Sequence, residues 1–578
     1  MLTFNDLKRN LKIDSAHLPL IKAALLGDTS TQFLSIALQG MAIERRYKLN
    51  LYESDYNQIE HQILSPDSEL HAFGAKYNII FQSTQKLLDT YNKLDLVQRS
   101  ELSERRLGFV QRICEMCSEN IIYCNYPEID DAVFGSFANK TRKSFIYQVR
   151  KLNYELMQLA EAAPNLFVCD LAALQEKLGR NFCFNSSFYV NGEMVLSLES
   201  LPYVATRMMD IICACEGNFK KCLIIDLDNT IWGGVVGDDG IEGIQIGHLG
   251  IGKVFTEFQH WLKKLKERGI ILAVCSKNNE ETAKEPFVKH PEMVMRLEDI
   301  SVFTANWENK VENIRKIQSV LNIGFDSMVF LDDDPVERAM VRENISEITV
   351  PELPEDPADY LEHLYSLNLF ETASFSTEDE KRTKQYQEEH SRTQTMIRFK
   401  SEADFLRSLE MEATVKSFEP FDIPRIAQLS QRTNQFNLRT IRYTEVDVLR
   451  LSKDENYKTF AFTLKDKFGD HGLICIVVTD RKDKNTLFIE NWIMSCRVFK
   501  RSMENFTMNT LVRYASENGY EHIIGEYSFT AKNKIVADQY SRLGFTKLEE
   551  PKNGTVRYIL YVKTYQESES YISVSLPY

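Results

Sequence analysis

Two aspartates two positions apart, Asp226 and Asp228, close the apolar run Cys222-Leu-Ile-Ile. Successive side chains of an extended strand alternate, so residues i and i+2 point the same way and both carboxylates face one site. Carboxylates are hard oxygen ligands suited to Mg²⁺, and one of such a pair can attack phosphorus to form an aspartyl-phosphate. Further along, Ile270-Ile-Leu-Ala-Val-Cys-Ser276 ends an apolar run in a hydroxyl able to hydrogen-bond a phosphoryl oxygen. Lys310 opens a predicted helix after Asn306-Trp-Glu-Asn309 and can supply positive charge to a phosphate and to an attacking carboxylate. Met328-Val-Phe-Leu then runs into Asp332 and Asp333, more acids for a metal.

The elements that must position these groups follow from the same pattern. Apolar runs at 222–226, 270–275 and 327–331 alternate with helical periodicity near 253–268 and 309–321, an order that predicts a parallel sheet with right-handed crossovers. The turn after such a strand is where open α/β sheets bind ligands. Residues 216–350 form this domain, and its glycine-rich segment Trp232–Gly247 is too short for a folded cap, so a small flap is expected. Residues 1–215 also alternate strand and helix patterns, with apolar runs at Ile21–Leu26, Asn78–Phe81 and Leu166–Cys169. The proline-rich acidic stretch Pro351–Pro357 opens a linker with connecting helices, 351–410. From 411 to 578 the pattern becomes α+β, with strands at 457–464, 472–479 and 486–494 and a helix near 502–516. The fold class is therefore α/β and multidomain.

Length agrees with that division, since 578 residues exceed what one hydrophobic core serves. With 43% apolar residues, 26% charged residues and a net charge of −14, the composition argues for ordinary globular domains and against a general nucleic-acid surface. No run approaches the roughly 20 apolar residues of a membrane helix, and the first residues lack the charged and apolar regions of a signal peptide. A cytoplasmic protein without nucleic-acid or membrane partners is expected. The 11 cysteines are irregularly spaced and read as reduced thiols; Cys114-x-x-Cys117 lies in helical sequence and reads as packing.

The order of Asp-x-Asp, Ser, Lys and Asp-Asp resembles the haloacid dehalogenase (HAD) superfamily of phosphotransferases. The resemblance implies a Rossmann-like sheet with a minimal cap. It also implies that Asp226 is the nucleophile, Asp228 the general acid/base, and Ser276 and Lys310 the phosphate contacts. Asp226, Asp228, Asp332 and Asp333 would form the Mg²⁺ site. The wording Asp226-Leu-Asp-Asn-Thr-Ile-Trp-Gly-Gly234 further resembles the FkbH-like proteins, glyceryltransferase/phosphatases that load three-carbon units onto acyl carrier proteins. Thr433-Asn-Gln-Phe-Asn-Leu438, Lys467-Phe-Gly-Asp-His-Gly472, Ser495-Cys-Arg-Val498, Ala531-Lys-Asn533 and Arg542-Leu-Gly-Phe545 extend that resemblance over most of the chain.

The third block resembles an acetyltransferase (GNAT) fold, where a glycine-bearing loop at a helix start offers N–H groups to the coenzyme A pyrophosphate. Here that stretch is Arg497-Val-Phe-Lys500-Arg501-Ser502, with Lys and Ser at the glycine positions, which disfavours coenzyme A. A carrier's phosphopantetheine arm remains the expected partner. Cys496, beside Arg497, Lys500 and Arg501, is the candidate acyl carrier, because neighbouring cations favour a thiolate; a packed cysteine at a strand end is the competing reading. His471 is a candidate acid or base, or a loop histidine making structural hydrogen bonds. In the first block, Gly27-Asp28-Thr29 resembles the nucleophile turn of SGNH hydrolases, with threonine in place of serine and no later Asp-x-x-His, which implies an SGNH-like domain without hydrolase activity.

These readings combine into a glyceryl transferase/phosphatase. It would take a small phosphorylated three-carbon substrate, 1,3-bisphosphoglycerate, remove phosphate at the Mg²⁺ site, and pass the acyl group through Cys496 to an acyl carrier protein such as those of polyketide biosynthesis. Two alternatives stand beside it. One is an Mg²⁺-dependent phosphatase on a small or carbohydrate phosphate, with the third block binding substrate; the other is a non-catalytic scaffold.

Overall fold

The computed structural model describes residues 2–396, 399, 401–481, 483–530, 532–548 and 554–574; Ala531 lies outside them. The chain divides into two compact units, Met1–Glu216 and Gly217–Tyr578. In the first, β1 (Leu20–Gly27), β2 (Lys48–Glu53), β3 (Tyr77–Phe81), β4 (Asn120–Cys124) and β5 (Leu166–Cys169) form a parallel sheet in the order β2-β1-β3-β4-β5. Every residue of β3 and β4 is buried, as expected of parallel strands covered on both faces by crossover helices. The strand order reverses between β1 and β3, which opens a crevice at their carboxyl ends.

The second unit holds two sheets. The first is parallel, in the order β8-β7-β6-β9, built from β6 (Cys222–Ile225), β7 (Ile271–Ser276), β8 (Val302–Ala305) and β9 (Met328–Leu331). Side chains alternate cleanly: Leu223, Ile225, Leu272 and Val274 enter one apolar cluster, while Cys222, Ile224, Ile271 and Ala273 enter the other. The strand β8 was not expected from the sequence. It is a short edge strand whose Phe303 and Thr304 are only half-buried, so no apolar run announces it.

The other sheet is mixed, in the order β15-β16-β14-β13-β12-β11-β10-β17. Its strands are β10 (Met411–Lys416), β11 (Tyr457–Asp466), β12 (Gly469–Asp480), β13 (Thr486–Met494), β14 (His522–Ser528), β15 (Thr546–Lys547), β16 (Thr555–Tyr561) and β17 (Ile572–Val574). The neighbours β13 and β14 run parallel, but their register ends at Ile489 and Gly525, and the strands then part. The gap is filled from within the chain. Leu438 N donates to Trp492 O (3.2 Å), Met494 N to Phe436 O (3.0 Å) and Ser528 N to Leu438 O (2.8 Å), so Phe436–Leu438 takes up both strand edges.

The segment read as a linker is packed. Its helix Arg382–Met396 lies against the helix Lys310–Leu321 and against β7 and β12, so both sheets of this unit share it. Among the described residues no helix is long and apolar enough to cross a membrane.

Candidate active site

Asp226 follows β6, Ser276 ends β7, and Asp332 and Asp333 follow β9, so the parallel register brings all of them to one end of the sheet. Lys310 starts the helix after β8 and reaches into the same place. Its Nζ lies 3.1 Å from Asp226 Oδ2 and 2.5 Å from Asp332 Oδ2, with the lysine only 3% exposed. Burial alone would lower the Lys310 pKa, but the charges of Asp226 and Asp332 outweigh it and the net shift is upward. Burial and then the Asp226 charge push Asp332 and Asp333 up, with Lys310 pulling both down.

Asp226 Oδ1 is buried and has no hydrogen-bond partner among the described residues. Asp226, Asp332 and Asp333 can each offer one oxygen, with the three atoms within 4.8 Å of one another. An unsatisfied buried carboxylate oxygen is costly unless a cation or ligand completes it, and three hard oxygens at this spacing suit a divalent cation. The donor set therefore fits Mg²⁺.

The Asp228 side chain, expected among the metal ligands, is not one of the three that cluster. Its Oδ1 accepts from Trp232 Nε1 (2.8 Å) and Val236 N (3.0 Å), and its Oδ2 from Asn278 Nδ2 (3.0 Å). The strand ends at Ile225, so the alternation that would put both aspartates on one face does not extend through 226–228, and Asn229 then turns left-handed (φ 52°). Burial, the largest cause, raises the Asp228 pKa, with the Asp226 charge adding to it. A carboxyl so placed can carry a proton beside the nucleophile.

The flap is closed on itself. Gly233 and Gln245 exchange backbone hydrogen bonds of 3.1 and 2.8 Å, and a short helix, Val236–Gly243, broken at Gly240, spans the loop between them. Gly233 must be glycine for this closure, since a Cβ would sit 2.8 Å from Gln245 Oε1 and 2.9 Å from a Phe255 ring carbon.

Four contributors escaped the sequence reading. Asn278 and Trp232 fix Asp228. Thr230 Oγ1 donates to Asp333 Oδ1 (3.3 Å) and accepts from Asp333 N (3.2 Å). Arg338 Nη1 donates to the carbonyls of Asp332 (2.8 Å) and Asp333 (2.7 Å), fixing the backbone that carries both acids. Asn278, two residues beyond Ser276, was the most legible of them. Ser276 is buried at the end of β7, its carbonyl accepting from Asn306 N (3.2 Å).

Cys496 lies elsewhere in the same unit. It is half-buried and opens a single 3-10 turn, Cys496–Val498, several residues before the helix Met503–Glu517. Asn322, which caps the helix Lys310–Leu321, donates from Nδ2 to Cys496 O (3.4 Å), and the thiol is within electrostatic reach of Lys221, Tyr386 and Arg497. Lys221 precedes β6, whereas Asp226 follows it. Cys496 and Asp226 therefore sit at opposite ends of the parallel sheet, about 15–20 Å apart by the strand and helix rises. Lys221 is held by a bond from Nζ to Arg432 O (2.7 Å), and burial brings its pKa down to about 8.

Of the cations expected at Cys496, Arg501 points away, to Glu389, Asp466 and His471. His471 is 2% exposed, with Nε2 3.1 Å from Asp466 Oδ2 and 3.0 Å from Arg501 Nη1. Burial, aided by Arg501 and Arg392 and opposed by Asp466, pushes its pKa down to about 4, so the ring is neutral near pH 7 and ties a network together. Lys500 and Ser502 both hold left-handed backbone (φ 60° and 57°), so the glycine-like loop geometry persists in spite of their side chains.

In the first unit, Thr29 is fully buried and its Oγ1 has no partner among the described residues, so it is not presented as a nucleophile. Cys114 lies in the helix Leu102–Met116 and Cys117 caps it; burial raises their thiols to about 11 and about 12, as for packed cysteines.

The family model described as FkbH, N-terminal domain, matches residues 22–213. Among solved structures, the N-terminal part of the protein BF1531 from Bacteroides fragilis, described as containing a phosphatase domain complexed with Mg, is 60% identical. The match covers 65% of this chain and 100% of that one, with a TM-score of 0.63. The ribosomal-protein-S18-alanine N-acetyltransferase from Escherichia coli is 16% identical over 27% of this chain and 98% of its own, with a TM-score of 0.21. The GNAT domain of S. lividans PAT is 16% identical over 25% of this chain and 89% of its own, with a TM-score of 0.21. No curated protein matches the chain. With the whole of the Bacteroides chain covered at that identity and the FkbH model spanning most of the first unit, the chain belongs to the FkbH-like family.

Proposed function

We propose that this chain is an Mg²⁺-dependent phosphatase with Asp226 as nucleophile, and that Cys496 carries a three-carbon acyl unit for delivery to an acyl carrier protein. The observation behind the first part is the Oδ1 of Asp226, without a hydrogen-bond partner among the described residues and buried at a strand end beside Lys310, Asp332 and Asp333. Asp226 attacks the phosphorus of a monoester, the Asp–P bond forms, and the P–O bond to the alcohol breaks. Lys310 holds positive charge against the carboxylates and the transferring group. Asp228, whose pKa is raised chiefly by burial, gives a proton to the leaving oxygen. Water then attacks the aspartyl-phosphate, Asp228 takes the proton, and phosphate departs with Asp226 restored. Mg²⁺, held by Asp226, Asp332 and Asp333, would neutralise the phosphoryl oxygens, and the Mg-bound Bacteroides relative supports that choice of ion.

The second part draws on the FkbH-like family and on the half-buried Cys496 beside Arg497 and Lys221. The Cys496 thiolate attacks the acyl-phosphate carbonyl of 1,3-bisphosphoglycerate, a thioester forms, and phosphate leaves; the remaining phosphate is a monoester of the kind Asp226 would cleave. Exchange with the thiol of a carrier's phosphopantetheine arm then frees Cys496. Because Cys496 and Asp226 lie at opposite ends of the sheet, the acyl unit must travel between them on a tether or by rebinding. The arm would also have to approach without the gap between β13 and β14, which Phe436–Leu438 fills.

The test is incubation with 1,3-bisphosphoglycerate and Mg²⁺, followed by phosphate assay and intact-protein mass spectrometry. Asp226→Asn should abolish phosphomonoester turnover, and Cys496→Ala should abolish a glyceryl adduct. Phosphate release without any adduct, unchanged by Cys496→Ala, would leave a phosphatase on a small or carbohydrate phosphate. A wild type inert on every phosphoester would sink the phosphatase itself.

A further inference from the structure

The first unit holds a cavity of about 380 Å³ at the carboxyl ends of β1, β2 and β3, where the strand order of its sheet reverses. That volume is in the range of small-ligand pockets, and the position is the one where open parallel sheets bind ligands. Asp28, Asn57 and Gln82 line it from the strand ends, and Arg106 and Phe109 from the helix Leu102–Met116.

Asn57, Gln82, Arg105 and Arg106 bring donors to the lining, and Asp28 and Glu60 bring carboxylates. Gln82 Oε1 is occupied by the hydroxyls of Tyr123 (2.6 Å) and Tyr126 (3.4 Å), which leaves its Nε2 as the end free to donate. The Arg106 guanidinium, stacked 5.6 Å from the Phe109 ring centre, makes no hydrogen bond or ion pair among the described residues, although Asp28, Tyr123 and Tyr126 are within electrostatic reach. Asp28 directs both oxygens to Ser83 N, at 2.9 and 3.1 Å, and so is committed to the turn rather than to the arginine. A partly buried guanidinium without an acceptor calls for one, and its planar fork matches a carboxylate or a phosphate.

We propose that this cavity binds a small organic anion whose carboxylate or phosphate pairs with Arg106 and Gln82 and whose apolar part rests on Phe109. The site binds without turning over, since Thr29 is fully buried and does not line the cavity. It is separate from the phosphatase centre and does not depend on that reading.

The test uses the full chain carrying Asp226→Asn, so that phosphate probes are not consumed. Butyrate, butyl phosphate, inorganic phosphate and the neutral butyramide are titrated by calorimetry and by hydrogen exchange at the ends of β1 and β3. Butyrate or butyl phosphate should bind with protection at those strand ends, at least tenfold more tightly than butyramide. The preferred headgroup distinguishes a carboxylate from a phosphate ligand. Arg106→Gln should weaken binding at least tenfold, and Arg106→Lys, which keeps the charge and loses the fork, by less. Butyramide binding as well as butyrate, protection confined to other regions, or unchanged affinity in both Arg106 variants would each overturn the proposal.

Discussion

Replacing Lys310 with methionine keeps the length of the side chain and removes its charge. Because Lys310 is 3% exposed and sits 3.1 Å from Asp226 and 2.5 Å from Asp332, the variant leaves two buried carboxylates facing each other without a cation. Removing one partner of a buried ion pair costs about 3–5 kcal/mol. At about 2 °C per kcal/mol, the low end that suits so large a unit, the melting transition of the second unit should fall by about 6–10 °C in EDTA. Mg²⁺ compensates the same carboxylates, so at a hundred times its dissociation constant it should return about 2.7 kcal/mol. Activity behaves differently, because the metal does not replace the lysine at the transferring group; kcat should stay about 10²–10³-fold down at saturating Mg²⁺. Differential scanning calorimetry in EDTA and in Mg²⁺, with phosphate-release rates, measures both effects. Melting of Lys310→Met like the wild type in EDTA, or a loss that Mg²⁺ leaves untouched, would show that Lys310 is not what balances Asp226 and Asp332.

Trp232→Phe removes the indole donor 2.8 Å from Asp228 Oδ1, a hydrogen bond worth about 0.5–1.5 kcal/mol. Its kcat should drop by roughly 2- to 10-fold with KM little changed, and equal effects on both would point to lost packing instead. Asp28 has its pKa raised from 3.8 to about 6, with burial the largest cause. The native state therefore binds more protons than the unfolded chain between those values, so stability is lost as pH rises from about 4 to 6, by about 3 kcal/mol. Asp28→Asn should be the more stable protein at pH 7 and equal to the wild type near pH 4, read from hydrogen exchange in β1 and β3; a difference that ignores pH would count against this. Finally, because Phe436–Leu438 fills the gap between β13 and β14, millimolar coenzyme A should not shift the melting of the second unit, and a clear stabilisation would show that the segment gives way.

The sheets and their active-site end were legible because parallel strands buried on both faces must be apolar throughout, and the acids that end them stand out. Asp226, Asp332 and Asp333 were placed from that contrast and Lys310 from its position at a predicted helix start, and the structure brings the four together. The edge strand β8 was not legible, since half-buried Phe303 and Thr304 carry no such contrast. Nor was the diversion of Asp228, which lies beyond the end of β6 at Ile225 and is held by Trp232, Val236 and Asn278. Asn278, Trp232 and Arg338 reach the site through side-chain hydrogen bonds, which leave no periodic trace.

The sequence by itself determined the chemistry at one end of the parallel sheet, because residue type and alternation decide which groups strand ends can present. It also determined that Lys500 and Ser502 stand where glycine is expected. Only the tertiary structure decided that Cys496 and Asp226 lie at opposite ends of that sheet, that His471 is a buried network member, and that Phe436–Leu438 occupies the gap between β13 and β14. Each of those depends on which segments far apart in the chain pack together. That choice is made by the summed burial and hydrogen bonding of the whole unit, which no local pattern records.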